Sequence, residues 1–209
     1  SLFRDYVAQL FEHGKKLLII GNTNAIKYKG HFELIQENKL WLGCTNFNVG
    51  MFFEVPNHWK HYHHVNNETG KKIARVSTSC WYTNLDHGRR HKPLNLMSMA
   101  DNLRFSSSMK GKRAYDQYVN YDAIEVHTYK EIPSDYDGAM GVPITFLDKY
   151  NPDQFEILGT NRTIGVTPMS AVAEDGTYSV GGPCFYLANG DGTYRRMYDR
   201  ILIRHRRTK

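Results

Sequence analysis

The stretch from Lys15 to Tyr28 most constrains the fold, because it changes from apolar to polar and back within one short span. Its uninterrupted apolar run, Leu17 to Ile20, is typical of a strand covered on both faces in a parallel sheet. Gly21 and Asn22 end that strand, and Thr23 is placed to cap the helix that follows. Ligands of open α/β sheets bind at the carboxyl ends of such strands. We therefore expect polar groups at the Asn22 corner to face a substrate.

Predicted helices and strands alternate on either side of that stretch. An apolar stripe predicts a helix from Leu2 to Glu12, ended by Gly14. A second helix is predicted from Thr23 to about Glu37, and KLWLGC, residues 39–44, is predicted as the next strand. The chain therefore begins as helix, strand, helix, strand, as in half of a doubly wound α/β sheet.

The rest of the chain predicts strands joined by loops. Met51 to Pro56 and Ile73 to Asn84 are expected to form an antiparallel pair at the edge of the first sheet. A basic, aperiodic stretch then predicts a boundary between residues 1–85 and residues 86–209. The second part is predicted to be a mixed, strand- and loop-rich lobe, with strands at residues 123–129, 144–147, 155–158, 184–188 and 192–203, the last two in a hairpin around residues 189–192.

The formal net charge of +6 favours a polyanionic partner. Basic side chains concentrate in two groups, and each cation can neutralise a nucleic-acid phosphate in a salt-dependent way. The first group holds Arg89, Arg90, Lys92, Arg104, Lys110, Lys112 and Arg113. The second group holds Arg195, Arg196, Arg200, Arg204, Arg206, Arg207 and Lys209. An ordinary charged surface is the alternative for both groups.

Other chemistries find less support in the sequence. The cysteines, Cys44, Cys80 and Cys184, are widely separated, which favours a reducing cytoplasm over a disulfide framework or a zinc knuckle. A histidine-rich loop offers metal donors, but the usual zinc spacings are absent and a solvated loop is favoured; its histidines are His58, His61, His63 and His64. No apolar run approaches the ~20 residues that span a bilayer, so no membrane partner is predicted.

Five segments spread along the chain carry a family resemblance. They are SLFRDYVAQL at residues 1–10, LLIIGNTNAIKY at 17–28, KLWLG at 39–43, CWYTNL at 80–85 and ILIR at 201–204. Together they resemble the EcoRI-type adenine-specific DNA methyltransferases. The resemblance implies the C-terminal part of a Rossmann-like class I methyltransferase sheet in residues 1–85 and a DNA target-recognition lobe in residues 86–209. It also implies S-adenosylmethionine as cofactor, double-stranded DNA as partner and N6 of a flipped adenine as methyl acceptor.

In that family an Asn-Pro-Pro-Phe motif comes directly before the helix that SLFR opens. Its Asn side chain and first Pro carbonyl accept hydrogen bonds from the adenine amino group, and its aromatic ring stacks on the flipped base. The resemblance implies that this motif and the glycine-rich cofactor turn lie upstream of Ser1 in a longer parent protein. We therefore expect no catalytic residue in this chain and no activity from it alone.

For this chain the resemblance implies a base pocket and a DNA-facing surface. Asn22 would border the flipped adenine, and Phe47 would supply an aromatic wall, with Phe52 and Phe53 as alternatives. Backbone contacts to DNA are expected from Arg89, Arg90, Lys92, Lys110, Lys112 and Arg113. The DNA recognition sequence, the cofactor-binding residues and the oligomeric state are left open.

Two other classes of function stay open. The basic groups by themselves indicate a non-catalytic nucleic-acid-binding module, which needs no upstream motif. The histidine-rich loop leaves room for a metal-dependent nuclease.

Overall fold

A computed structural model describes residues 2–45, 47 and 49–206. The chain divides into two compact units, one ending at Arg89 and one beginning at Arg90. The described residues form a mixed α/β arrangement with few helices and several small sheets. None of the helices in this part of the chain combines the length and the apolar character that a membrane crossing requires. The functional identities expected for residues 1–85 and 86–209 stay predictions.

The first helix has the bounds that the sequence predicts. α1 runs Leu2–Glu12. Gly14 then adopts φ 59°, a left-handed conformation that costs glycine little, and the N–H of Lys15 donates to the carbonyl of Leu10 at 2.8 Å. The helix is therefore ended by local chemistry, as predicted.

The strand that follows differs from its prediction. β1, Leu18–Asn22, pairs antiparallel with β6, Ser79–Thr83, and is an edge strand of its sheet. One face is covered, because the ring of Phe3 occupies the space that a Cβ on Gly21 would need. The other face exposes Leu18 by 55% and Ile20 by 43%. The prediction of a strand buried on both faces in a parallel sheet is therefore wrong for the described residues.

Two helical segments replace the single helix predicted from Thr23 to Glu37. A 3-10 helix covers Thr23–Lys27, and α2 covers Lys29–Gln36. Tyr28 separates them in an extended conformation, with φ −74° and ψ 129°, which interrupts the helical hydrogen bonds. Ile26 of the first segment and Phe32 and Ile35 of the second are buried.

α2 carries a buried histidine. His31 is 1% exposed and stacks on the ring of Phe3, with 5.3 Å between centroids. Its Nε2 has no hydrogen-bond partner among the described residues. Burial, and after it the positive charge of Arg4, lowers the pKa of His31 below 6.5.

We expect the free energy of unfolding to fall as the pH drops below about 6.5, because the unfolded chain then binds a proton that buried His31 resists. Above that pH both states are neutral at this position and the stability is fully present. His31→Phe keeps a stacked ring without a titratable nitrogen and should flatten this part of the profile. Urea unfolding between about pH 5 and pH 8 measures the effect. His13→Gln, at an exposed histidine, is the control, and an unchanged profile in His31→Phe contradicts the prediction.

The first sheet has the order β1-β6-β2, with β2 at Trp41–Leu42. β1 and β2 are both antiparallel to β6, so they run in the same direction as each other. Helical residues connect them, which makes a β-α-β crossover. The parallel relation expected of these two strands is present, but β6 lies between them. The described residues therefore do not form the continuous parallel half-sheet that the sequence predicts.

A separate sheet, in the order β3-β5-β4, occupies residues 51–76. β3, Met51–Val55, pairs antiparallel with β5, Lys72–Val76, and the short β4, His64–Val65, pairs with the other edge of β5. The predicted antiparallel pair is confirmed, but its predicted place at the edge of the first sheet is wrong. The predicted run is broken at residues 77–78, so β5 belongs to this sheet while β6 is central in the other.

The second unit is built around a sheet in the order β7-β8-β12-β9. Its strands are β7 at Ile124–Glu125, β8 at Met140–Pro143, β9 at Phe155–Thr160 and β12 at Arg200–His205. The predicted hairpin is confirmed by β10, Tyr186–Ala188, and β11, Tyr194–Arg196. α3, Met99–Phe105, is capped by the hydroxyl of Ser98, which accepts from the N–H of Asp101 at 3.1 Å.

Three predicted strands of this unit are corrected. Residues 123–129 contribute only the short β7. Ile144–Lys149 is a 3-10 helix where a strand is predicted, because Pro143 ends β8 and cannot donate to the ladder. Residues 192–203 are divided between β11 and β12, which lie in different sheets.

The four-stranded sheet contains a buried ion pair. Arg200 of β12 holds Glu125 of β7, with 2.8 Å between Nη2 and Oε1, and the two side chains are 9% and 5% exposed. The hydroxyl of Tyr118 also donates to Glu125. Burial raises the pKa of Tyr118, so this hydroxyl stays protonated and serves as a donor.

Candidate functional site

The carboxyl ends of β1 and β2 lie at the same edge of the first sheet, because the two strands run in the same direction. β1 ends at Asn22, and Cys44 follows the end of β2. Strand ends of this kind are where α/β sheets bind ligands, and the structure brings the Asn22 corner to that edge as the sequence predicts.

Asn22 caps the 3-10 helix that follows, in place of the predicted cap Thr23. Its Oδ1 accepts from the N–H of Asn24 at 2.8 Å, and its backbone carbonyl accepts from the hydroxyl of Tyr82 at 2.9 Å. Burial is the largest cause of the raised pKa of Tyr82, which keeps that hydroxyl protonated. The Asn22 backbone is thus fixed from two sides, while its side chain is exposed and keeps its Nδ2 donors for another group.

An open pocket of about 480 Å³ lies beyond the end of β2. Its walls are Cys44, Thr45, Val49, Gly50, Met51, Phe52 and Trp81. Two glycines shape it. Gly50 adopts φ 76°, and a Cβ there would lie 2.7 Å from the carbonyl oxygen of Val76. A Cβ on Gly43 would lie 2.7 Å from the Cβ of Trp81, so glycine at this position allows the backbone to pass close to β6, which carries Trp81.

The three phenylalanines named from the sequence have different environments. Phe52 is 45% exposed and lines the pocket, whereas Phe47 is 9% exposed and belongs to the core. Phe53 is adjacent to Phe52 in β3 and so points to the opposite face of that sheet, with 37% exposure. Which of these rings meets a base stays a prediction, and Phe52 is the one placed at the pocket.

One arginine and two histidine rings are neighbours of Phe52. Arg75 is its direct partner across β3 and β5. The rings of His63 and His64 approach it edge-on, with 5.5 Å and 6.2 Å between centroids. Phe52 is therefore an exposed aromatic ring that lies opposite an arginine and beside two imidazole rings.

The first three residues of the predicted DNA-facing group lie around the 3-10 helix Gly88–His91. Arg89 donates from its guanidinium to the carbonyl of Cys44, at the rim of the pocket. Arg90 is 7% exposed, which removes most of its side chain from any phosphate. Lys92 is exposed. The sequence predicts the same role for all three residues and does not reveal that their environments differ.

The other three lie in the exposed loop that follows the 3-10 helix Ser107–Met109. Lys112 is 2.6 Å from the carboxylate of Asp116, so part of its charge is compensated. Lys110 and Arg113 are exposed. This loop therefore offers accessible cations, as predicted from its composition.

The second basic group is largely taken up by contacts within its own unit. Arg200 is buried against Glu125, Arg204 is 2.9 Å from Glu156, and Arg206 donates to the carbonyl of Pro152 at 2.6 Å. Arg196 donates to the sulfur of Cys184 at 3.1 Å. Arg207 and Lys209 lie outside the described residues. Contacts within the folded second unit thus engage many of these positively charged side chains.

The histidine-rich loop does not assemble a metal site in the part of the chain that the structure describes, where no group of three or more His, Cys, Asp or Glu side chains is suitably placed. His63 and His64 face each other, with 2.9 Å between their Nδ1 atoms. The three cysteines are free thiols.

The sequence reasoning missed two pocket residues, Trp81 and Cys44, and a second pocket. Trp81 lies in β6 and Cys44 follows the end of β2, so only the pairing of these two strands places them at the same pocket. The second pocket, of about 460 Å³, lies in the second unit and includes Asn120, Tyr178 and Tyr186 in its walls. No local sequence signal marks it.

Comparison with known proteins gives one family. The family model described as adenine-specific methyltransferase EcoRI matches residues 1–206. The type II methyltransferase M.EcoRI of Escherichia coli is 38% identical over 209 residues, which are 99% of this chain and 55% of that protein. M.MpnI of Mycoplasma pneumoniae is 38% identical over 162 residues, which are 76% of this chain and 48% of that protein. The type II methyltransferase M.MgeORF184P of Mycoplasma genitalium is 34% identical with the same coverage.

The chain spans about half the length of these curated relatives. No solved structure matches it. The family match extends over both units and includes each of the segments on which the resemblance rests. The chain therefore belongs to the EcoRI family of adenine-specific methyltransferases.

Proposed function

We propose that this chain is the part of an S-adenosylmethionine-dependent adenine-N6 DNA methyltransferase that borders the flipped base and contacts the target DNA. The observation that carries the proposal is the open pocket at the carboxyl edge of β1 and β2, walled by Phe52 and Trp81. Enzymes that modify a base extrude it from the duplex and hold it between aromatic or apolar side chains. The pocket offers two such rings, and Asn22 ends β1 in the same sheet as Trp81, although it is not one of the residues that line the pocket.

Each side chain at this edge has a distinct role in the proposal. Phe52 stacks on the flipped adenine, since it is exposed at the pocket while Phe47 is buried. Asn22 presents its Nδ2 donors toward the polar edge of the base, with its backbone held by Tyr82. Arg89, bonded to Cys44, supports the rim. The positive charge of Arg75, opposite Phe52, favours a negatively charged backbone near the pocket.

We propose that the first sheet continues as the Rossmann-like sheet of a longer parent. Within the described part of the chain one edge of β1 is unpaired, and Leu18 and Ile20 are exposed on its uncovered face. Apolar strands exposed in this way are normally paired or covered in native proteins. In the proposal, strands from the parent cover them and supply the Asn-Pro-Pro-Phe motif, and this chain alone is inactive.

S-adenosylmethionine would supply the electrophilic methyl group. This chain contains no glycine-rich turn of the G-x-G-x-x-G type between a strand and a helix, so none of its residues is assigned to the cofactor. What this chain contributes is recognition and positioning of the base and the DNA. Positioning by itself supplies a large share of catalysis in a transfer between two bound reactants.

The exposed loop of the second unit is proposed to contact the DNA backbone. We expect the double variant Lys110→Ala/Arg113→Ala to weaken duplex binding on all sequences and to reduce the slope of log K against log salt concentration by about 2, one per lost phosphate contact. Fluorescence anisotropy of the 209-residue chain on random duplexes measures this. Lys15→Ala/Lys16→Ala removes two exposed charges from the first unit as the control. Equal slopes for the two double variants would contradict the assignment.

A non-catalytic nucleic-acid-binding module is the second candidate, favoured by the accessible cations of Lys92, Lys110 and Arg113. It needs no methyl transfer. The test that separates the two is a methylation assay on the parent protein, with labelled S-adenosylmethionine and duplex DNA, followed by nucleoside analysis. N6-methyladenine supports the enzyme, and DNA binding without any methylated base supports the module.

A further inference from the structure

Exposed apolar side chains concentrate in one part of the first unit. We call residues 49–76, which hold the β3-β5-β4 sheet and its loops, the aromatic arm. Seventeen large apolar side chains are exposed among the described residues, and the arm contributes seven of them. They are Val49, Phe52, Phe53, Trp59, Tyr62, Val65 and Val76. Within the strands of the arm only Met51 and Ile73 are buried. Phe52 and Phe53 point to opposite faces of β3, whereas Trp59 and Tyr62 share the loop between β3 and β4. Neighbouring exposed aromatic residues mark an interaction surface, whereas scattered exposed residues need no explanation.

The charge of the arm identifies the kind of partner. It contains four Lys or Arg against two Glu, so its formal charge is positive with histidine counted as neutral. Glu54 is already compensated by Lys71, with 2.6 Å between carboxylate and ammonium. Lys60 is exposed and contacts no partner among the described residues. A surface that is both aromatic and cationic complements a polyanion that also presents flat rings.

The aromatic loop is held in place on the sheet. Lys72 of β5 donates to the carbonyls of Asn57 at 2.6 Å and Trp59 at 3.1 Å, and its ammonium lies 4.9 Å from the ring centroid of Tyr62. One side chain thus anchors the loop backbone at Asn57 and Trp59 and also contacts the ring of Tyr62. Trp59 is 49% exposed and Tyr62 is 46% exposed. Both rings are therefore displayed by a fixed loop and lose little conformational freedom on binding.

We propose that the aromatic arm binds nucleic acid by stacking unpaired bases on Trp59 and Tyr62 while its cations neutralise neighbouring phosphates. Stacking platforms combined with a cationic surface are how proteins hold single-stranded nucleic acid without reading its sequence. The arm belongs to the first unit and is separate from the Lys110 loop of the second. Like the proposed function, this role of the arm has nucleic acid as its partner, but it does not depend on methyl transfer.

The test compares two strands that differ only in their bases. We expect the 209-residue chain to bind a labelled thymidine oligonucleotide of about 16 nucleotides more tightly than an abasic deoxyribose-phosphate strand of equal length. Trp59→Ala and Tyr62→Ala should each weaken thymidine-strand binding by about 5-fold to 100-fold and leave abasic-strand binding nearly unchanged. Trp59→Phe keeps a stacking ring and should retain most of the affinity. Tyr198→Ala, at a tyrosine that is 90% exposed outside the arm, is the matched control.

Three results would overturn the proposal. The first is equal weakening on both strands, which would reduce the arm to a charged surface. The second is an effect of Trp59→Ala no larger than that of Tyr198→Ala. The third is binding to phosphatidylserine vesicles that competes fully with the thymidine strand, which would assign the arm to a membrane surface. Thermal melts of the variants should match the unaltered chain, because both side chains are exposed.

The outcome is independent of the methylation assay. A parent that produces no N6-methyladenine, while Trp59→Ala still loses strand binding, refutes the proposed enzyme and supports the arm. If the parent methylates DNA and neither Trp59→Ala nor Tyr62→Ala weakens binding to the thymidine strand, the enzyme is supported and the role of the arm is refuted.

Discussion

Arg200→Met is expected to lower the free energy of unfolding by about 3–5 kcal/mol, because it leaves the buried carboxylate of Glu125 without its counter-charge. Glu125 is 5% exposed and receives two guanidinium nitrogens of Arg200, Nε at 3.0 Å and Nη2 at 2.8 Å. Tyr118 remains as a neutral donor and cannot balance the charge. The pair joins β7 and β12, which lie on either side of β8 in the four-stranded sheet, so its loss affects the core of the second unit.

Urea unfolding of the 209-residue chain measures this cost. Arg204→Met is the matched control, because its ion pair with Glu156 is 49% and 42% exposed and such pairs contribute only about 0–1 kcal/mol. Arg200→Met/Glu125→Leu removes both charges and should recover much of the lost stability. A loss in Arg200→Met no greater than in Arg204→Met would show that the buried pair does not stabilise the unit.

The second large effect concerns the proposed base pocket. Phe52→Ala in the proposed parent enzyme is expected to lower kcat/KM for methyl transfer by about 5-fold to 100-fold, since a stacked base is worth about 1–3 kcal/mol. Phe53→Ala is the matched control, because the adjacent ring is also exposed but points to the other face of β3. Initial rates on a duplex substrate measure both variants. Equal losses in the two variants would remove Phe52 from the base-binding role.

Local sequence signals predicted the elements that are decided locally. The Gly14 stop, the α1 stripe and the turn between β10 and β11 need only a few neighbouring residues, and the structure confirms all of them. The environment of the run from Leu17 to Ile20 is not decided by its neighbours in sequence. Its apolar composition indicates that other residues should pack against it, but composition cannot indicate which part of a protein supplies those residues.

Non-local pairing explains the elements that the sequence could not place. The break between β5 and β6 at residues 77–78 assigns two neighbouring strands to different sheets, although the alternation of side chains runs through both. At the site, the Asn22 corner follows from a strand end, whereas Trp81 meets Cys44 only through the pairing of β2 with β6. The burial of Arg90 likewise depends on packing that its charge does not reveal.

The formation of N6-methyladenine in duplex DNA tests the central claim most directly. The proposed longer parent and the 209-residue chain alone would each be incubated with labelled S-adenosylmethionine and DNA. Nucleosides from the digested DNA would then be separated. We predict labelled N6-methyladenine with the parent and no methyl transfer with the chain alone. Methylation by the chain alone, or a parent that binds DNA and forms no N6-methyladenine, would contradict the proposed function.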